Sequence, residues 1–225
     1  MIATATIFHM AYRAVSFCVG EFYHLYNRGT DKRPLFQDRA DYVRFQTLLH
    51  IANSSQSRKI RDLSRNGANP YEARISEPLV GIGAYCLMPN HFHILLTPLA
   101  EEGVPRFMKK LGTSYSMYFN TRYVRTGTLF EGKYKSQYAD TDRYLKYLYA
   151  YIHLNPLKVC REGEEDPLTA LKRYPYSSLL DYLGYERTEG AILEPGAFPE
   201  YFREAADHIH DLEEWLSYRE GLQVT

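Results

Sequence analysis

The chain has 225 residues, of which 45% are hydrophobic and 24% charged, and it carries no low-complexity tract. These values exclude a disordered or fibrous protein, and no run of residues is long and apolar enough to predict a membrane span. The formal net charge is zero, which excludes a uniformly basic nucleic-acid binder. Basic residues nevertheless dominate 104–135, and acidic residues dominate 162–225.

Cysteine usage indicates a reducing compartment. Cys18, Cys86 and Cys160 are odd in number, far apart and without a C-x-x-C pair. This pattern is typical of reduced thiols in a cytosol and argues against a disulfide framework or a zinc cluster. We therefore expect a cytoplasmic protein.

The first third of the chain predicts one strand, one helix and one loop. Aromatic residues alternate in 22-FYHLYN-27, which predicts a strand. Apolar residues recur at helical spacing from Ala40 to Ile51 and predict a helix. The polar segment 52–78 contains Ser, Asn, Gly and Pro without a sustained period, and we interpret it as a loop insertion.

The middle of the chain predicts a hairpin, a long helix and a short strand. Strands are expected at Val80–Met88 and His91–Thr97, with Pro89-Asn90 as the tight turn between them. Pro105 can open a helix that runs to about Arg122. A fourth strand is expected at Tyr134–Tyr138.

A further helix is expected over 142–155, with Asp140 or Thr141 as its N-cap and Pro156 as its end. The order strand, helix, strand, strand, helix, strand predicts an α+β fold. We expect the ferredoxin-like or RRM-like βαββαβ arrangement, in which helices lie on one face of an antiparallel sheet.

The domain organisation follows from these elements. We expect an N-terminal extension over 1–19, a catalytic domain over 20–160 and a C-terminal helical extension over 161–225. The extension is expected to contain a short helix near 177–183 and a helix from Tyr201 to about Arg219.

The motif His91-Phe92-His93 is the first candidate for chemistry. Side chains alternate along a strand, so the two histidines point the same way and Phe92 points the other. Imidazoles about 7 Å apart can converge on one metal ion. Two histidines leave positions for a phosphate oxygen and a polar side chain, which suits Mg²⁺ or Mn²⁺. The motif alone favours a plain surface pair.

Tyr151 and Asn155 change this balance because they lie four residues apart on the predicted helix and share one face. A phenol and a carboxamide oxygen could then reach the same point as the imidazoles. The alternative for Tyr151 is one more tyrosine on a tyrosine-rich helix. Tyr147 and Tyr149 compete as nucleophiles but are disfavoured by their register to Asn155, and His153 is expected to face elsewhere.

The segments 86-CLMPNHFHILL-96 and 151-YIHLNPLKV-159 together resemble the single-tyrosine HUH transposases of bacterial insertion sequences and their REP-associated relatives. In addition, 22-FYHLYNRGTDKRPLF-36 is similar to the opening strand of that family. The stretch 130–156 is similar to its last strand and catalytic helix. The resemblance covers residues 20–185, and its specificity lies in the order and spacing of the motifs.

This resemblance implies a metal-dependent single-stranded DNA transposase or endonuclease. It implies Tyr151 as the nucleophile that forms a 5′-phosphotyrosine, and His91 and His93 as ligands of Mg²⁺ or Mn²⁺. Asn155 takes the place of the third ligand, where many members carry glutamine. The implied partner is single-stranded DNA with hairpins in a prokaryotic cytoplasm, close to the nucleoid. Monomer and homodimer both remain open.

Basic residues are the candidates for contacts to DNA phosphates. They are Arg28, Arg106, Lys109, Lys110, Arg122, Arg125, Lys133 and Lys135. The alternative function is a non-catalytic, domesticated protein that binds nucleic-acid hairpins. The H-x-H motif followed by Y-x-x-x-N favours the enzyme, because binding alone needs neither motif.

Overall fold

The structure is a computed structural model that describes residues 16–56, 67, 69–160 and 166–223. Its strands are Tyr23–Arg28 (β1), Val80–Met88 (β2), His91–Pro98 (β3) and Lys135–Tyr138 (β4). Its α-helices are Arg39–Ile51 (α1), Gly103–Arg122 (α2), Asp142–His153 (α3), Pro167–Lys172 (α4), Leu179–Tyr182 (α5) and Ala205–Gln223 (α6). Most of the expected N-terminal extension and part of the expected 52–78 loop lie outside the described residues.

The strands form one antiparallel sheet in the order β2-β3-β1-β4. The predicted α+β, ferredoxin-like fold is confirmed, with β3 and β1 at the centre. Each residue of a central strand is fixed by its cross-strand partners, so its side chain belongs to one face of the sheet. In β3, His93 lies opposite Tyr26 of β1 and Cys86 of β2.

The first face of the sheet carries the main core, and we call it the core face. Phe92, Ile94 and Leu96 of β3 point into this core. The helices α1 and α2 cover them with buried side chains such as Phe45 and Phe107. The two helices of the βαββαβ unit therefore lie on one face, as the sequence predicted.

The opposite face carries His91, His93 and Leu95, and we call it the histidine face. The helix α3 packs on it through Leu145, Leu148 and Ile152, against Leu95 and the small or sulfur-containing residues of β2. Thr141 caps this helix by accepting a hydrogen bond from the amide of Tyr144 at 3.2 Å. Because α3 follows the βαββαβ unit in the chain, it is free to cross to the second face.

The C-terminal extension closes the outer edge of β2. The backbone amide of Leu87 donates to the carbonyl of Tyr176 at 2.9 Å, and that of Glu194 donates to the carbonyl of Ile82 at 2.9 Å. These bonds satisfy groups that an exposed edge strand would leave open to another chain. None of the described helices is sufficiently long and apolar to cross a lipid bilayer.

The helix α6 packs on the outer side of α3. Its residues His208, Asp211 and Trp215 contact His153, Lys146 and Tyr147, respectively. The Nδ1 atom of His153 lies 2.7 Å from Nε2 of His208, and its Nε2 atom lies 2.7 Å from Oγ of Ser178. As a result, α3 is held between the sheet and the C-terminal helix.

Several predicted helix ends are wrong by a few residues. The helix expected over 142–155 ends at His153, and a 3-10 turn over Asn155–Lys158 follows it. Pro156 is accommodated in the first positions of that turn, where it needs no donor of its own. The last helix begins at Ala205 and not at Tyr201, and α2 begins at Gly103, two residues before Pro105.

The buried histidines of the α3–α6 contact make stability depend on pH. Burial lowers the pKa of His208 to about 3 and holds the pKa of His153 well below its usual range. The unfolded chain binds protons at both histidines below a pH of about 6.5, whereas the folded chain does not. The free energy of unfolding is therefore expected to fall as the pH drops below that value.

For His208 alone, the free energy of unfolding at about pH 5 is expected to be lower than at neutral pH by roughly 2 kcal/mol. Denaturant titrations of the wild type and of His208→Leu at both pH values measure this difference. The variant should show a smaller pH dependence than the wild type. His210→Gln is the matched control, because His210 is 75% exposed. Equal pH dependence in the wild type and His208→Leu would contradict the assignment.

Candidate active site

The candidate site lies on the histidine face, where β1 and β3 run side by side. His24 and Tyr26 of β1 project from the same face as His91 and His93 of β3. Because these strands are antiparallel neighbours, residues 69 positions apart in the chain come into direct contact. The pairing of β1 with β3 therefore positions the side chains that the sheet contributes to the site.

His24 and His93 form a hydrogen-bonded imidazole pair. Nε2 of His24 lies 2.9 Å from Nδ1 of His93, and the ring centres are 5.0 Å apart. Burial lowers the pKa of His24 to about 4, and burial followed by the neighbouring His24 holds the pKa of His93 well below its usual range. Both imidazoles are therefore neutral at neutral pH.

His91 is oriented by the turn that precedes it. Its Nδ1 atom lies 2.7 Å from Oδ1 of Asn90, which accepts the hydrogen bond and leaves the lone pair on Nε2. The ring centre lies 5.1 Å from that of His93 at an interplanar angle of 88°. Burial, assisted by the charges of Lys158 and Arg28, lowers the pKa of His91. It too is a neutral ligand candidate.

Tyr151 of α3 meets the imidazole pair edge-on. Its ring centre lies 5.7 Å from that of His24 and 5.5 Å from that of His93. A cavity of about 330 Å³ opens beside these rings. It is lined by His24, Tyr26, His93, Gln137, Tyr144, Tyr147, Leu148 and Tyr151. The structure thus brings the predicted nucleophile Tyr151 into contact with His93, 58 residues earlier in the chain, and His91 lies beside His93.

The phenol of Tyr151 is protonated at neutral pH. Burial, and then the neighbouring Tyr147, raise the pKa of Tyr151, and the side chain of Asn155 opposes the shift. A protonated phenol is a weak nucleophile, so attack by Tyr151 requires removal of its proton or compensation of the negative charge that develops. The site must supply one of these.

The two competing tyrosines lie in different places. Tyr147 lines the cavity, with its ring centre 5.9 Å from that of Tyr151 and 4.5 Å from that of Trp215. Tyr149 is 2% exposed and packs against Gly83, where an added Cβ would lie 2.8 Å from its hydroxyl. Burial strongly raises the pKa of Tyr149. Of the two competing tyrosines, only Tyr147 therefore remains as an alternative candidate nucleophile to Tyr151.

Asn155 is buried directly below Tyr151. Its Nδ2 atom donates to the backbone carbonyl of Tyr151 at 2.7 Å, and its Oδ1 atom accepts from Nζ of Lys158 at 2.8 Å. The carboxamide oxygen proposed as a ligand is thus in contact with an ammonium group. Sequence reasoning gave Lys158 no role, although it lies only three residues beyond Asn155.

The donor set fits a hard or borderline divalent ion. The Nε2 atoms of His91 and His93 remain available beside each other, and both rings are neutral, as metal ligation requires. The described residues contain no group of three His, Cys, Asp or Glu that could hold a metal ion. Any third protein ligand among them must be of another type, and Asn155 is the carboxamide nearest in the chain to Tyr151.

The predicted DNA-binding residues are distributed over both sides of the sheet. Lys135 of β4 lies opposite Tyr26, and Arg28 lies opposite His91, so both are next to the site. Arg28 forms a two-point ion pair with Glu131. The remaining six lie on α2 or in the loop after it, on the side of the core face.

Among these six, Arg122 and Lys110 make contacts within the protein. The guanidinium of Arg122 pairs with Asp38 at 2.5 Å and with Asp41 at 2.9 Å. The ammonium of Lys110 donates to the carbonyl of Gln56 at 2.8 Å. Arg106, Lys109, Arg125 and Lys133 also lie on this side, and the last three line an open groove between α2 and the loop 125–133. No side chain of this groove reaches Tyr151.

Comparison with known proteins identifies similar molecules. The family model of IS200-like transposases matches residues 22–155. One similar solved structure is that of a REP-associated tyrosine transposase bound to a REP hairpin. The two chains have a TM-score of 0.50 and 13% identical residues, and the alignment covers 80% of this chain and 90% of the other. No curated protein matches the chain by sequence.

Replacement of His24 tests whether the imidazole pair prepares His93 for metal binding. We expect His24→Leu to weaken Mn²⁺ binding by about 10-fold or more, because His93 loses the partner that fixes its ring. Tyr26→Phe, which keeps the imidazole pair, is the control. Isothermal titration with Mn²⁺ measures both. Unchanged affinity in His24→Leu would mean that His24 does not orient His93.

Proposed function

This chain belongs to the family of IS200-like transposases, and from this we propose that it is a metal-dependent transposase of single-stranded DNA. It cleaves and rejoins DNA near hairpins through a 5′-phosphotyrosine intermediate on Tyr151. The observation that supports this most directly is the position of Tyr151. Its ring lies edge-on to both members of the His24–His93 pair, beside a cavity of about 330 Å³.

The chemistry is a transfer of one phosphodiester bond. Oη of Tyr151 attacks the phosphorus and forms a phosphorus–oxygen bond, while the bond from phosphorus to the 3′ oxygen breaks. The proton lost by the phenol balances the proton gained by the free 3′-hydroxyl. Attack by another 3′-hydroxyl reverses these steps and joins the strands, which needs no external energy source because the number of phosphoester bonds is conserved.

His91 and His93 would hold a Mg²⁺ or Mn²⁺ ion, with Asn155 as the candidate third ligand. When bound, such an ion supplies Lewis-acid stabilisation of charge on the phosphate. The protein residues orient the reactants. His24 fixes the ring of His93, Asn90 fixes that of His91, and the packing of α3 fixes Tyr151. Such fixed placement of reacting groups can account for much of an enzyme's rate advantage.

The proposed partner is single-stranded DNA that carries a hairpin, in the cytoplasm near the nucleoid. Support comes from the similar REP-associated transposase, which was solved with a REP hairpin. In this chain, Arg28 and Lys135 flank the site and are candidates for phosphates near the cleaved bond. The basic groove beside α2 is a candidate for the more distant part of the DNA.

Tyr151→Phe tests the nucleophile. We expect this variant to form no covalent DNA adduct but to bind DNA with near wild-type affinity, because it loses only the hydroxyl. Tyr147→Phe is the matched control and should retain the adduct. The yield of covalent adduct is measured with labelled hairpin oligonucleotides from the DNA flanking the gene. The protein is incubated with them and Mn²⁺, and the products are separated on denaturing gels. An adduct in Tyr151→Phe that is lost in Tyr147→Phe would reassign the nucleophile.

His91→Ala tests the metal requirement. We expect the loss of one of two imidazole ligands to reduce adduct formation by about 100-fold or more, on the scale at which metal ions contribute to phosphoryl transfer. EDTA should abolish the reaction of the wild type. His210→Ala, which changes an exposed histidine on α6, should have no effect. Equal adduct yields with EDTA and with Mn²⁺ would exclude the metal role.

A further inference from the structure

Lys158 is a cation at the candidate site that the proposed mechanism leaves without a role. It ends the 3-10 turn that follows α3, seven residues after Tyr151. Lys158 is an exposed residue, but its ammonium reaches back to the site. The Nζ atom lies 2.8 Å from Oδ1 of Asn155 and 5.4 Å from the ring centre of Tyr151. The ammonium therefore stands next to the proposed nucleophile.

The charge of Lys158 also reaches the other half of the site. It contributes to the lowered pKa of His91 and of His93, which lie on β3. The same ammonium is therefore within electrostatic reach of both proposed metal ligands on the sheet, and it lies over the ring of Tyr151 on α3.

The described lining of the site is otherwise mainly neutral. The imidazoles of His24, His91 and His93 are uncharged at neutral pH, and so is the phenol of Tyr151. Arg28 is near His91 but is paired with Glu131, and Lys135 lies on the edge strand β4, opposite Tyr26. A phosphodiester brings one negative charge, and its pentacovalent transition state spreads further charge over the same oxygens. Lys158 is positioned to compensate that charge.

We propose that Lys158 is a substrate-binding residue of this site, and that its ammonium pairs with a non-bridging oxygen of the phosphodiester that Tyr151 attacks. The proposal rests on the proposed function. Lys158 keeps its proton throughout, so the bonds made and broken are those of the transfer itself. Without DNA, the ammonium rests on Asn155 Oδ1. The flexible lysine stem allows it to leave this oxygen for a phosphate.

This arrangement also accounts for the contact between Lys158 and Asn155. An ammonium and a divalent ion would repel each other at the same carboxamide oxygen. When the ammonium turns to the phosphate, the oxygen becomes accessible. Lys158→Met is therefore expected to bind Mn²⁺ in the absence of DNA at least as tightly as the wild type does. A clear loss of Mn²⁺ affinity in this variant would overturn the proposed position of the ammonium.

The main test compares Lys158→Met, which removes the charge, with Lys158→Arg, which keeps it. Lys172→Met, at the exposed end of α4, is the matched control. With a labelled hairpin oligonucleotide and Mn²⁺, we expect Lys158→Met to form the adduct about 100-fold more slowly, on the scale of losing one transition-state hydrogen-bond donor. Lys158→Arg should recover most of the rate, and Lys172→Met should equal the wild type.

A binding measurement gives a readout that does not depend on turnover. In the Tyr151→Phe background with EDTA, log Kd for the same oligonucleotide is measured against log salt concentration. Loss of one phosphate contact to a single strand lowers the steepness of this line by about 0.7. We expect that change for Lys158→Met and not for Lys172→Met. Unfolding midpoints close to the wild type would confirm that the variants are folded, as expected for an exposed lysine.

The position of the contact can be tested once the cleaved bond is mapped. A methylphosphonate at that bond removes the negative charge of the single phosphate in question. If Lys158 pairs with it, the substitution weakens binding to protein with Lys158 and has little further effect on Lys158→Met. Independent, additive effects would overturn the proposal.

The outcomes separate the two proposals. If the wild type forms the adduct and Lys158→Met forms it at the same rate, the role of Lys158 is wrong and the proposed function stands. If the wild type forms no adduct with any hairpin from its flanking DNA, the proposed function fails, and the role of Lys158 fails with it.

Discussion

Side chains of β3 alternate between two covered faces of the sheet, and this single register holds both the core and the site in place. Phe92 and Ile94 enter the main core, while His91 and His93 face α3. A slip of one residue would exchange the two sets. It would place imidazoles among the apolar side chains of α1 and α2, at a cost of several kcal/mol for each unpaired polar group. The packing of Phe92 is therefore what fixes the direction of the histidines.

The second half of the site depends on a helix held from both sides. The inner side of α3 packs on the histidine face, and its outer side contacts α6 through His153, Lys146 and Tyr147. These outer partners lie beyond residue 155, where the match to the family model ends. The position of Tyr151 thus depends in part on contacts outside the segment that the family model matches. This gives the C-terminal extension a structural reason to be present.

Burial has opposite consequences for the groups that meet in the cavity. It keeps the histidines neutral, as the proposed metal ligation requires, and it raises the pKa of the phenol of Tyr151, which opposes the proposed attack. A site of this kind needs positive charge that is delivered close to the phosphate. An ion held by the histidines would be one source, and the proposed contact of Lys158 with the phosphate is a second source, from the chain itself.

Local patterns in the sequence determined the strands, the helices and the α+β fold. Periodicity placed His91 and His93 on one face of a strand, and Tyr151 and Asn155 on one face of a helix. Their candidate roles came from the resemblance of these motifs to those of the HUH transposases. The helix ends, the contact of His24 with His93 and the contact of Lys158 with Asn155 were decided by the tertiary structure. The His24–His93 contact depends on the register between two strands. The Lys158–Asn155 contact depends on the course of the chain after a helix ends. Local periodicity of the sequence encodes neither of these features.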